Sequence, residues 1–302
     1  MTALAVRAPF HLEATVRVLQ RRPSNRVDVW EEGRYLRVLT SAHGCALVSV
    51  ENRGGIDAPD LRCSVLAGDA AAHPANAWML HRMLGLDIDP APFQRLALAV
   101  PTIRPTAEAL RGIRPPRFAT LFEAFANVVP FQQVSLDAGV AIVGRLVEHF
   151  GEPLAHEGRR FHAFPTAGTI ANAPPEDLRA CGLSARKADT LRMIGNAIGA
   201  GELDEARIAR MSTHDALRTL RALPGIGPWS AGLVLLRGFG RLDVFPPGDV
   251  GAERSLRELT QLAPHTPLCR VVERFGDYRG FFYFFGLGAG LLNKGLIHPA
   301  PA

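Results

Sequence analysis

Asp249 and the stretch Leu223-Pro224-Gly225-Ile226-Gly227-Pro228-Trp229-Ser230-Ala231 carry the residue types and spacing best suited to chemistry. Gly225 and Gly227 flank one aliphatic residue, Ile226, which can plug a turn into the protein. Glycine tolerates positive φ and lets the backbone approach a neighbour closely. Gly227 and its successors present backbone N–H groups at a helix start, at the positive end of the helix dipole. Such a start is an anion site suited to a phosphate. Pro228 fits the first helical turn, where a missing N–H costs little. The same residues also suit an ordinary helix–turn–helix corner with a glycine C-cap. Asp249 follows Pro246-Pro247-Gly248 and precedes Val250-Gly251-Ala252. As an N-cap it accepts N–H groups of residues 251–252. Capping and catalysis are compatible, because a cap holds the carboxylate in one direction.

These residues need helices around them. Arg218 to Ala222 reads as a helix end, and Trp229, Ala231 and Leu233–Leu236 open a second, mostly buried helix. Leu136 to Phe150 has helical apolar spacing and stops at Gly151. Pro130-Phe131-Gln132-Gln133-Val134-Ser135 precedes it, with two amides interrupting an apolar run. Further on, Cys181-Gly182 ends one helix and Ser184 caps the next. Arg186 and Lys187 fall in that helix's first turn, where the dipole disfavours cations. They either face an anion such as phosphate or are solvated. Phe281-Phe282-Tyr283-Phe284-Phe285 reads as a buried helix or as an aromatic wall.

The first 68 residues read as β-rich. Phe10, Leu12, Ala14, Val16 and Val18 alternate with polar residues at strand period. Strands are also predicted at Val27–Trp30, Tyr35–Leu39, Cys45–Val50 and Leu61–Leu66, with a hairpin at Glu31-Glu32-Gly33. A helix follows from His73 to Leu84. The pattern alone says α+β, then helices from about Phe93 onward.

At 302 residues the chain suffices for about two or three units and a sizeable core. Its net charge of +5 permits nucleic-acid binding without establishing it. The four cysteines, Cys45, Cys63, Cys181 and Cys269, form no CxxC pair, so neither zinc nor an iron–sulfur cluster is indicated. Scattered cysteines fit a reducing, cytoplasmic setting. His43, His73, His81, His149 and His162 show no ligand spacing. No signal peptide is visible at Met1–Pro9, and no run approaches the ~20 apolar residues of a membrane span.

Leu223 to Ala231, followed by the Gly/Pro-rich Arg237–Asp249, resembles the helix-hairpin-helix of the DNA glycosylase superfamily, and most closely its 3-methyladenine DNA glycosylase II (alkylation-repair) branch. Gly-Leu-Ser-x-x-Lys-Ala at 182–188 is similar to another family segment. The resemblance covers most of the chain. It implies an α+β N-terminal domain, residues 1–90, with an antiparallel sheet like that of the TATA-binding protein. It implies an all-α body, residues 91–302, of two helical lobes flanking a cleft. The implied activity is hydrolysis of the N-glycosidic bond of alkylated bases, such as 3-methyladenine, flipped out of double-stranded DNA. The same fold as a non-enzymatic DNA-damage binder is the alternative. The base must leave the stack first, and a carboxylate stabilises the oxocarbenium-like sugar and orients a water.

By resemblance, Asp249 is catalytic. Trp229, Phe131, Leu233 and Val250 line the base pocket, the last two where relatives often have tyrosine. Gln132, Gln133, Gly225, Gly227, Ser230 and Lys187 contact DNA, with Gln133 filling the gap left by the extruded base. Trp229 stands where the lyase subfamily has its Schiff-base lysine, so a monofunctional enzyme leaving an abasic site is expected. No cofactor is required. The backbone carbonyls of Arg221, Leu223 and Ile226 are expected to hold a monovalent cation, Na+ or K+. Arg279 is expected to bond the loop carrying Asp249. The expected partner is damaged double-stranded DNA, with no membrane and a monomeric protein.

Overall fold

The computed structural model describes residues 1–42, 44–69, 73–263 and 265–301; His43 lies outside them. The N-terminal part holds β1 (Thr2–Leu4), α1 (Leu12–Gln20), β2 (Val29–Glu31), β3 (Arg34–Ser41), β4 (Gly44–Asn52), β5 (Leu61–Gly68) and α2 (His73–Met83). The strands form one antiparallel sheet in the order β1-β5-β4-β3-β2. The β2–β3 hairpin turns through Glu32 (φ 49°) and Gly33 (φ 75°), the left-handed pair that a tight two-residue turn requires.

Residues 10–18, predicted as a strand, are instead the start of a helix. Leu12, Ala14, Thr15, Val16, Val18 and Leu19 are all buried. Glu13, Arg17 and Gln20 lie at the i, i+4, i+7 spacing of one helix face, but Leu12, Ala14, Val16 and Val18 also form an i, i+2 series that imitates a strand. His11 caps it: Nδ1 accepts from the Ala14 N–H at 3.3 Å.

The body follows as α3 (Ala91–Leu98), α4 (Arg104–Ala109), α5 (Leu121–Ala126), α6 (Leu136–Phe150), β6 (Pro153–His156), β7 (Arg159–His162), α7 (Ala167–Ala171), α8 (Pro175–Ala180) and α9 (Ala185–Gly199). It continues with α10 (Glu205–Arg210), α11 (Thr213–Arg221), α12 (Pro228–Phe239), α13 (Val250–Thr260), α14 (Cys269–Glu273) and α15 (Arg279–Leu292). The β6–β7 hairpin is an unforeseen departure from a purely helical body. It has a packing reason. Tyr35, Leu39, Val48 and Val50 face the main core, while Leu36, Val38, Cys45 and Leu47 face the other way and are covered by Phe161 and Ala163. The sheet is thus buried on both sides, each strand alternating between two cores.

A buried ionic network joins sheet to body. Arg37 of β3 donates to Asp28 Oδ1 and to Glu123 of α5, each at 2.6 Å, and Tyr35 also donates to Asp28 at 2.6 Å. All four residues are buried. Burial raises the pKa of Glu123, and the Asp28 charge adds to this against the pull of Arg37. The network anchors α5, which leads into the 131–135 segment. Among the described residues, no helix is long and apolar enough to cross a membrane.

Candidate active site

The hairpin lies between α11 and α12. Gly225 has φ +82°, and a Cβ there would stand 2.5 Å from Thr190 Oγ1. Ile226 is buried as the plug. Gly227 is the N-cap of α12 with no capping side chain, and nothing lies within 4 Å of where its Cβ would be. With no capping side chain, the first backbone N–H groups of α12 after Pro228 have no acceptor within their own helix.

Asp249 is the N-cap of α13. Its Oδ1 accepts the Ala252 N–H at 2.9 Å, within the cap reach read from the sequence. Its Oδ2 accepts two donors, Trp229 Nε1 and Tyr283 OH, each at 3.1 Å. The carboxylate is thereby aimed by three elements at once: its own helix, the hairpin helix and the last helix. Tyr283, buried like its neighbours, is the member of the Phe281–Phe285 run whose hydroxyl reaches Asp249. Phe281 and Phe282 stack on Phe93 and Phe275 with ring centroids 4.1 and 3.9 Å apart, so the phenylalanines are packing. Burial, with Asp249's charge adding, raises the Tyr283 pKa; the hydroxyl keeps its proton and donates.

The segment that holds Phe131 and the two glutamines packs on the hairpin through Gln132. Gln132 Nε2 donates to the Gly225 carbonyl and to Ser230 Oγ, both at 2.9 Å. Lys187 Nζ donates to the Pro130 and Gln132 carbonyls at 3.0 and 2.7 Å, and burial lowers its pKa. Gln132 and Lys187, read from the sequence as DNA contacts, thus brace the 131–135 loop from within. Gln133 is exposed at the tip with φ +55°, a left-handed conformation that a non-glycine side chain adopts only when its surroundings impose it. A Cβ at Gly139 would overlap the Phe131 ring, so the ring lies flat on α6.

Two family models cover most of the chain. One, the HhH-GPD superfamily base excision DNA repair protein, matches residues 127–272; the other, the AlkA N-terminal domain, matches residues 1–120. The chain belongs to the HhH-GPD superfamily. It is 31% identical over 183 residues to the DNA-3-methyladenine glycosylase of Bacillus subtilis, covering 61% of this chain and 60% of that one. It is 30% identical over 282 residues to the probable bifunctional transcriptional activator/DNA repair enzyme AlkA of Mycobacterium tuberculosis, covering 92% of this chain and 54% of that one. The chain therefore spans less than two thirds of the length of either relative. The fold of the 3-methyladenine DNA-glycosylase from Archaeoglobus fulgidus is similar across 97% of this chain and 99% of that one, with a TM-score of 0.80 at 24% identity.

Within this HhH-GPD fold the remaining residues separate by exposure. Leu233 is buried, whereas Val250, beside Asp249, is 69% exposed. Trp229 is half-buried with its N–H on the carboxylate. Arg279 does not reach the Asp249 loop; its Nε donates to the Gly276 carbonyl at 3.0 Å. The backbone of the next residue does that work, with Gly280 N–H donating to the Leu242 carbonyl at 2.7 Å. A side chain at Gly280 would collide with Leu236 and with the Leu242 and Val244 carbonyls. Of the carbonyls assigned to a cation, that of Leu223 accepts the Ile226 N–H at 3.1 Å.

Two arginines beside the site had no sequence signal. Arg237, on α12, is fully buried and stacks over Phe118 and Phe284 at 5.1 and 5.3 Å. Burial, reinforced by Arg21, lowers its pKa to about 9, so it is still charged at neutral pH. Arg21 follows α1 and lies 4.8 Å above the Phe131 ring.

Proposed function

We propose that this protein is a monofunctional DNA glycosylase that excises alkylated bases, such as 3-methyladenine, from double-stranded DNA. The observation that carries this reading is the Asp249 carboxylate, held by Ala252, Trp229 and Tyr283 at the edge of the hairpin. Cleaving the glycosidic bond of an alkylated, cationic base leaves the sugar oxocarbenium-like. A carboxylate fixed beforehand stabilises that charge without reorganising, and it can orient or deprotonate the attacking water. The hairpin N–H groups at Gly227 hold a phosphate. Exposed Gln133 enters the duplex and fills the space of the extruded base. The relatives' names and the superfamily support the reading.

Hydrolysis without strand cleavage follows from the amines. The chain has two lysines, Lys187 and Lys294. Lys187 is engaged with two carbonyls, and the position of the lyase amine is Trp229. A cation, Na+ or K+, belongs to this proposal, held by the Arg221, Leu223 and Ile226 carbonyls. The donor set fits a hard ion, because it is oxygen only. An ion held there would add positive charge beside the hairpin for a DNA phosphate. The protein acts as a cytoplasmic monomer.

The test is methylated duplex DNA incubated with the protein, with and without later alkali. Release of methylpurines with strand breaks only after alkali is the expected result. Breaks without alkali contradict hydrolysis. Tight binding with no base release supports a damage binder of the same fold instead.

A further inference from the structure

We propose that Gln132 is a positioning residue whose amide acts as a strut, tying the loop that carries Gln133 to the hairpin so that a paired base can be pushed out of the stack while its backbone is held. This rests on the glycosylase reading above and concerns the extrusion step that precedes bond cleavage.

A glutamine side chain carries two N–H donors on one nitrogen. Gln132 spends both on the hairpin, one on the Gly225 carbonyl and one on Ser230 Oγ, each at 2.9 Å. Ser230 is buried, so water does not compete for the second bond. The loop end of the strut is fixed as well, because Lys187 Nζ donates to the Pro130 and Gln132 carbonyls. Lys187 and Thr190 are three residues apart on α9 and share one face. Thr190 packs against the hairpin turn, where a Cβ on Gly225 would stand 2.5 Å from its Oγ1. Loop, hairpin and α9 therefore close a triangle, and Gln132 is its direct side between loop and hairpin.

The strut joins two working parts. On the loop side the next residue is Gln133, exposed and at φ +55°. On the hairpin side the residue before Ser230 is Trp229, whose Nε1 donates to Asp249 Oδ2 at 3.1 Å. Swinging a nucleotide out of the duplex needs a fixed hold on its backbone and a push on the stack, against the cost of unstacking and unpairing. A loop that pushes without a tie to the hold recoils. Gln132 therefore matters in proportion to how firmly the base is held in the duplex, a dependence that a residue serving only packing does not have.

The experiment measures single-turnover release of 3-methyladenine from two duplexes, one with thymine opposite the lesion and one with an abasic-site analogue opposite it. Wild type, Gln132→Met, Gln133→Ala, the double variant and Ser230→Ala are compared, with thermal melting beside them. Met keeps the length of the side chain and removes both donors. Its rate is expected to fall on the order of tenfold on the paired duplex, the scale of two neutral hydrogen bonds, and far less on the unpaired one. Ser230→Ala removes one acceptor and is expected to show the same pattern more weakly; if Gln132→Met does not fold, this variant decides. The double variant is expected to be no slower than Gln133→Ala, because the strut serves nothing once the wedge is gone. A Gln132→Met enzyme at wild-type rate on the paired duplex overturns the proposal. So does an equal fall on both duplexes, which marks packing or a phosphate contact, and so does a double variant whose losses multiply. In each of these cases the wild type still releases the base and the glycosylase reading stands. A wild type that releases it from neither duplex takes both readings down.

Discussion

Replacing Tyr283 by Phe removes one of two donors from Asp249 Oδ2 and almost nothing else. The ring stays where it is, edge-on to Phe245 and Phe284 at 5.9 and 5.5 Å. A hydrogen bond to a charged group is worth about 1.5–3 kcal/mol. Short O–H···O⁻ bonds of about 2.5–2.7 Å sit at the strong end of that range. The Tyr283 bond is 3.1 Å, so the low end applies, about 1.5 kcal/mol. At about 1.4 kcal/mol per decade, excision slows roughly tenfold. Tyr283 is buried behind the carboxylate, so the loss belongs in kcat, with KM unchanged. The assay is single-turnover release of 3-methyladenine, with thermal melting beside it. Trp229→Phe is expected to act similarly. Because both donors serve one oxygen, the double variant is expected to depart from additivity. A Tyr283→Phe enzyme at wild-type rate, or one slowed only through KM, refutes the assignment of Tyr283 as a positioning residue.

Three other outcomes follow from the structure. Gly225→Ala is expected to destabilise by about 1–3 kcal/mol in urea unfolding, from its left-handed backbone and the Thr190 clash; Gly227→Ala, with free space around it, is expected to leave stability unchanged and weaken only duplex binding. Lys187→Met is expected to slow excision by loosening the 131–135 loop, with the salt dependence of DNA binding unchanged, because the ammonium is spent on two carbonyls; a salt slope reduced by about one would show a phosphate contact instead. Arg37→Met strands Asp28 and Glu123 and is expected to cost about 3–5 kcal/mol at pH 7. The folded chain holds the Glu123 proton more tightly than the unfolded chain does, since its pKa is raised. Lowering the pH toward the ordinary Glu value of about 4.3 is therefore expected to shrink the Arg37→Met deficit, as read by melting across pH.

Local signals in the sequence were reliable and distant ones were not. The α6 limits, the Ser184 cap and the Asp249 cap onto Ala252 depend on residues within a few positions of one another, and the structure has all of them. Of the sheet, β2 to β5 were legible; β1 at Thr2–Leu4 was missed, and at 10–18 the i, i+2 series of apolar residues outweighed the polar Glu13, Arg17 and Gln20 at helical spacing. The β6–β7 hairpin answers a need elsewhere, the second face of the sheet; its local signal is Glu157-Gly158, the same left-handed turn pair as Glu32-Gly33. Tyr283 could be singled out as the one hydroxyl in a phenylalanine run, but its bond to Asp249 spans 34 positions. Lys187 was read correctly as charge placed against a dipole, yet its counter-charge is a pair of carbonyls from a loop more than fifty positions earlier. Arg21 and Arg237 became site residues only through folding, one from α1 and the other from the hairpin helix.

Asp249→Asn tests the central claim most directly. Asparagine keeps one carbonyl oxygen, which can hold the cap onto Ala252, but it carries no charge and puts an NH2 donor where Oδ2 accepts from Trp229 and Tyr283. Single-turnover release of 3-methyladenine is measured for both proteins, together with their affinity for a duplex containing a stable abasic-site analogue. The account requires release to be lost by several orders of magnitude while that affinity is retained. Release by the variant within tenfold of wild type would contradict it, and would place the catalytic charge elsewhere in the cleft.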